Sequence, residues 1–81
     1  MSASITPCPL ARRRQLVARA AARMAEISPH AAEKHLGRLL ATQAEALARR
    51  QIEPATTHSE VRALESAIRA ELVRYEARAL A

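Results

Sequence analysis

The side chains best suited to chemistry are few and poorly spaced for it. The chain has three histidines, His30, His35 and His58, and a single cysteine, Cys8. His30 and His35 stand five residues apart, about 140° around a helix, so a straight helix cannot aim both at one ion. Helical zinc motifs use a four-residue spacing, and Cys8 lies far from all three histidines, so no metal site is expected. No serine, histidine and aspartate set, glycine-rich phosphate loop or pair of carboxylates in an apolar setting is present. The expectation is a protein that is not an enzyme, uses no cofactor and acts by binding another macromolecule.

Charge is the more informative feature. Thirteen lysines and arginines stand against eight acidic residues, a formal net charge of +5. The excess lies in the first two thirds of the chain. Five arginines precede Glu26, and Lys34, Arg38, Arg49 and Arg50 face only Glu33 and Glu45, whereas beyond residue 58 four arginines balance four glutamates. On a helix Arg12, Arg19 and Arg23 fall within about 40° of one another. Lys34, Arg38 and Arg49 likewise share one side of a second helix, with Glu45 among them. A one-sided basic surface attracts phosphate backbones or an acidic protein face, and these six are the candidate partner-binding residues. Glu65 with Arg69, and Arg62 with Glu65, have the spacing of surface pairs within one helix, and their expected role is structural.

Neither usual route to reading nucleic acid is visible. A helix-turn-helix fits poorly, because the residues after Gly37 continue as helix formers with no turn chemistry. Tyr75 is the only aromatic residue, and it falls in an apolar stripe expected to be core, so a stacking platform for single strands is missing.

These residues must be positioned by helices. Alanine, glutamate, lysine, leucine and arginine fill over half of the 81 positions, and glycine occurs once, a composition of long helices. The length suits one domain, 1–81, whose core is near the lower limit of what folds unaided. One cysteine excludes an internal disulfide, and its place between two prolines fits an exposed thiol in a reducing, cytoplasmic setting. No apolar run approaches the roughly 20 residues of a membrane span. The first 25 residues have the arginine-rich, acid-free composition of a mitochondrial presequence. They also hold the first helix of the core, so we read them as part of the fold.

The prolines set the boundaries. Residues 1–8 form a lead-in, and helices are predicted over about 9–26, 29–51 and 58–79. Pro9 suits a first helical position, Ser28 with Pro29 is a restart signal, and Thr57 with Glu60 forms a capping box. Apolar residues recur at helical spacing in each segment. Leu10, Val17, Ala20, Ala21, Met24 and Ile27 share one side of the first, and Ala32, Leu36, Leu39, Leu40, Gln43 and Leu47 one side of the second. Val61, Leu64, Ile68, Leu72 and Tyr75 make a narrow stripe on the third. The expected fold is all-α, an antiparallel three-helix bundle or a long helical hairpin with the first helix packed across it. Many inward positions are alanine, so a homodimer sharing its core is an alternative to a monomer. Gly37 marks either a close helix crossing or a surface defect.

Three stretches, Pro9 to Val17, Ala32 to Leu40 and Val61 to Leu72, resemble a family of short helical proteins from alphaproteobacteria and their mobile elements, catalogued as a domain of unknown function. The resemblance spans most of the chain and implies a helical fold, and its motifs are those of packing. By size and setting alone, such proteins are similar in kind to phage-encoded anti-CRISPR inhibitors. The leading expectation is therefore an inhibitor or regulator of a protein complex that handles nucleic acid, a CRISPR effector being the case the analogy raises. A non-specific DNA or RNA binder and a structural helical adaptor are the alternatives.

Overall fold

Ser28 and Pro29 divide the first two helices as their chemistry requires. The Ser28 Oγ accepts from the Ala31 amide at 3.3 Å, and Pro29 occupies the first turn, where its missing N–H costs nothing. The computed structural model describes residues 13–80, and its helices are α1 (Arg14–Glu26), α2 (Pro29–Arg49) and α3 (Pro54–Leu80). The predicted start of the first helix at Pro9, with Leu10, lies outside the described residues.

The second boundary departs from expectation at both ends. The second helix, predicted to run to Gln51, stops at Arg49, and Gln51 takes a left-handed φ of 61°. The Gln51 amide donates to the Ala48 carbonyl at 2.9 Å and the Ile52 amide to that of Leu47 at 3.1 Å. These two bonds form a Schellman motif, closed by packing of Ile52 on the core that contains Leu47. The third helix begins at Pro54 rather than 58. Proline in its first turn again needs no donor, and the Glu53 carbonyl accepts from the Thr57 amide at 2.9 Å. Thr57 therefore lies inside the first turn and cannot cap. Its hydroxyl is buried without a partner, and the expected capping box does not form.

All three pairs of helices pack together, which makes the fold a three-helix bundle rather than a hairpin with a crossing helix. Val17 and Ala18 border the same groove as Ala67, and Ala25 the same groove as Tyr75, so α1 and α3 run parallel; Leu16 shares a groove with Gln43 and Met24 one with Ala32, so α2 is antiparallel to both. Among the described residues the core is Val17, Ala20, Ala21 and Met24 of α1, Ala32, Leu36 and Leu47 of α2, and Leu64 and Ile68 of α3, with no polar or charged residue buried. Leu39, Leu40, Val61 and Leu72 pack on it half-buried.

The helices differ in length, at 13, 21 and 27 residues, or about 20, 32 and 40 Å at 1.5 Å per residue. The end of α3 consequently outruns its partners, and every residue from 73 to 80 is exposed. Tyr75, expected in the core, continues the Leu64–Ile68 stripe but is 39% exposed, because it stands beside the small Ala25 in the last turn of α1, at an open groove. Gly37 is exposed, and a Cβ added there would meet nothing within 4 Å, so it is a surface defect and not a helix crossing.

Two substitutions test this packing by chemical denaturation. Ile68→Ala should cost about 2–5 kcal/mol, because Ile68 is fully buried among rigidly held neighbours. Gly37→Ala should add up to about 1 kcal/mol, because alanine restricts the unfolded chain and meets no clash in the folded one.

Candidate functional site

Most charges of α3 are neutralised within the fold. Arg69 lies at its centre. Its Nη1 and Nη2 donate to Oε2 and Oε1 of Glu33 in α2 at 2.9 and 2.8 Å, a parallel fork that joins two helices. Its Nε and Nη2 also donate to Glu65, one turn earlier in α3, at 3.2 and 3.1 Å. Further along, Arg74 and Arg78 both donate to Glu71, at distances down to 2.7 Å. Hydrogen bonds from Arg69 hold the Glu33 carboxyl below the usual carboxylate range, and those from Arg74 and then Arg78 do the same for Glu71. The Arg69 guanidinium is in turn raised, first by Glu33 and then by Glu65. The expected Glu65–Arg69 pair is present, while Arg69 rather than Arg62 is the partner that Glu65 takes.

The basic residues of α1 and α2 are arranged differently. Lys34, Arg38 and Arg49 are exposed and stand on the side of α2 opposite Leu36 and Leu47. None of the three pairs with a carboxylate among the described residues. Arg19 is exposed as well, and its Nε donates to the Gln15 carbonyl at 3.4 Å, which folds the side chain back towards the start of α1. Arg23 faces Glu26 at 3.8 Å with both side chains well exposed, a contact that contributes little. Arg12 lies outside the described residues. The five described candidates thus stand exposed on two helices, Arg19 and Arg23 on α1 and Lys34, Arg38 and Arg49 on α2.

Arg19 has company that the sequence pattern did not single out. A groove between the start of α1 and the middle of α2 is lined by Arg13, Arg14, Gln15, Leu16, Arg19 and Gln43. The signal was available in part, since Arg13 and Arg14 adjoin Arg12 in sequence. Gln43, read as an inward position of α2, is half-buried at this edge. The groove on the other side of α1, lined by Arg14, Val17, Ala18, Ala67, Glu71 and Arg74, contains a carboxylate, Glu71, which pairs with Arg74.

The histidines come no closer to a site. His30 and His58 are exposed, His35 is half-buried, and no three His, Cys, Asp or Glu side chains gather as a metal site among the described residues. Cys8 lies outside them. No helix among them is long and apolar enough to cross a membrane. Tyr75 carries the Arg78 guanidinium 5.9 Å from its ring centre, so its exposed face already has a cationic neighbour.

A family model described as a family of unknown function (DUF6074) matches residues 1–81. The chain belongs to this family. The match covers the three stretches on which the resemblance rested and extends it to the whole chain. No curated protein and no solved structure matches. Membership in DUF6074 therefore establishes kinship without chemistry, and the reading of function rests on the surface.

The lowered Glu33 and Glu71 carboxyls set a pH dependence. A carboxylate whose folded pKa lies below its unfolded value, about 4.3 for glutamate, contributes stability above that value and loses it as pH falls through the folded pKa. Urea unfolding followed from about pH 7 to about pH 2 should therefore show stability falling on the acid side of about pH 4.3. Glu33→Gln should make that fall shallower. Added salt should shrink the difference, because Glu33 and Arg69 are both exposed to solvent. An identical acid profile for parent and variant would show that the Arg69 fork does not contribute to stability.

Proposed function

We propose that this chain is a non-enzymatic binding protein that regulates a complex handling nucleic acid, docking on it through the basic rows of α1 and α2. The observation that carries this reading is the segregation of charge. Arg69, Arg74 and Arg78 of α3 are satisfied within the fold. Arg19, Lys34, Arg38 and Arg49 are exposed and pair with no carboxylate among the described residues. Cations left uncompensated on a protein of net charge +5 attract an anionic surface and orient it during encounter. An acidic protein face, or the nucleic acid held by such a complex, fits that requirement. A CRISPR effector is one such complex, raised only by analogy of size and setting.

Arginine is suited to the task, since its planar fork pairs with carboxylate or phosphate in two-point fashion. None of these residues contributes to the buried core, so the rows can be altered without disturbing the packing. Two charge-reversal variants therefore test the proposal, R19E/R23E in α1 and K34E/R38E/R49E in α2. Both should keep the helicity of the parent by circular dichroism. Capture of a nucleic-acid-processing complex from the host, and modulation of its activity, should fall at least about tenfold in each, as loss of complementary charge at an interface implies. Full capture and activity in both folded variants would make the rows ordinary solvated surface and overturn the proposal.

A further inference from the structure

We propose that the groove between the start of α1 and the middle of α2 binds the phosphodiester backbone of nucleic acid without reading its bases. The inference rests on the reading above, because it identifies the anionic component that a regulator of such a complex would grip. It concerns residues outside the two rows, apart from Arg19.

Three arginines, Arg13, Arg14 and Arg19, line this groove with the carboxamides of Gln15 and Gln43, and no acidic residue lines it. Arg13 and Arg14 pair with no carboxylate among the described residues. Like charges gathered on one concave surface repel, and a bound anion relieves that repulsion. The groove on the opposite side of α1 shows what compensation looks like, since Glu71 lies in it and engages Arg74 at 2.7 Å. Nothing comparable enters the groove at Gln43. The bond from Arg19 to the Gln15 carbonyl uses its Nε and leaves both terminal nitrogens free to donate.

The shape points to an extended polyanion. The groove encloses about 480 Å³, the size of a small-molecule pocket, yet it is open to solvent, and the described residues that line it include one apolar side chain, Leu16, where such pockets are mostly apolar. The backbones of Arg14 and Arg19 are about 7.5 Å apart along the helix axis, and with Arg13 they supply three cations to one open groove, which suits an anion with several charges better than a single small ion. A phosphodiester backbone carries an anion on every unit of the backbone itself. An acidic peptide must instead immobilise a long, flexible side chain for each charge, at an entropic cost. No aromatic side chain lines the groove, so bases have nothing to stack on and affinity is indifferent to sequence.

The test titrates the full-length protein with a short single-stranded DNA oligonucleotide of mixed sequence, with poly-glutamate, and with inorganic phosphate, and follows the side-chain amide resonances of Gln15 and Gln43 by NMR. Single-stranded DNA should shift both resonances saturably, and its affinity should fall with salt at a log–log slope of about −2.1 for three arginine contacts. Inorganic phosphate should shift them only weakly. R13Q/R14Q, changed at exposed positions, should lower the affinity about tenfold or more and flatten the slope to about −0.7, the value for one remaining contact. Q43E, which puts a carboxylate into the groove, should weaken binding similarly, and R13Q/R14Q keeps the test valid if Q43E fails to fold. Unmoved glutamine resonances, or unchanged affinity in a folded R13Q/R14Q, would overturn the assignment. Poly-glutamate binding as tightly as DNA would overturn it in favour of an acidic protein surface. R13Q/R14Q and Q43E leave Lys34, Arg38, Arg49 and Arg23 intact, so loss of DNA binding with complex capture retained separates this proposal from the preceding one.

Discussion

Burial of Leu64 and Ile68 against alanine-rich faces of α1 and α2 is the contact on which everything else depends. Both are fully buried, and around them lie Val17, Ala20, Met24, Ala32, Leu36 and Leu47. Among the described residues no polar or charged residue is buried with them, so apolar contact supplies the core's cohesion. Alanine lets the helix axes approach but buries little area, which leaves each large side chain with a heavy share of the total. In a domain whose stability is the small difference of opposing terms, deleting the side chain of Ile68 matters more than it would in a larger core.

A core without ionisable groups leaves every charge at the surface, and there the helices diverge. In α3 acids and bases alternate, with Glu65 four residues before Arg69 and Glu71 three before Arg74, so each pair meets within one helix. Arg69 then reaches Glu33 and ties α2 to α3 through an exposed fork. In α1 the arginines have one carboxylate on their own helix, Glu26, and in α2 Lys34, Arg38 and Arg49 share their side with Glu45 alone. The balance of signs therefore gives a net-neutral, largely paired helix in one place and a field open to partners in two others.

Much of the fold was legible because it depends on local spacing. Val17, Ala20, Ala21 and Met24 recur at helical period, and Ser28 before Pro29 carries the chemistry of a cap in the residues themselves. The errors concern helix ends and the size of neighbouring side chains, which local spacing does not encode. Tyr75 continues the α3 stripe faultlessly, yet it is exposed because the residue of α1 beside it is the small Ala25. Pro54 starts α3, and the attractive spacing of Thr57 and Glu60 concealed that. Gln51 adopts a left-handed backbone that glycine or asparagine would have advertised. The Glu33–Arg69 fork spans 36 residues and has no local signature. The candidate site was legible only as a sign of charge per segment. The groove at Gln43 needs the mutual rotation of two helices, and glutamine carries no charge to betray it.

The composition of the surface also fixes what kind of binding it supports. Tight protein interfaces usually concentrate their energy in a few aromatic anchors seated in dry pockets. This chain has one aromatic residue, Tyr75, and it borders the groove at Ala25, near the end of α1, with Arg78 already beside it. The groove that holds three arginines lies at the other end of α1. Recognition there must draw on several exposed guanidinium groups, each modest on its own and screened within about 8–10 Å at physiological salt. Such a surface gains more in association rate and orientation than in residence time. Durable binding then requires that contacts along α1 and α2 engage together. That requirement is met by placing them on rigid helices, where the backbone is already ordered before the partner arrives and only side-chain freedom remains to be lost.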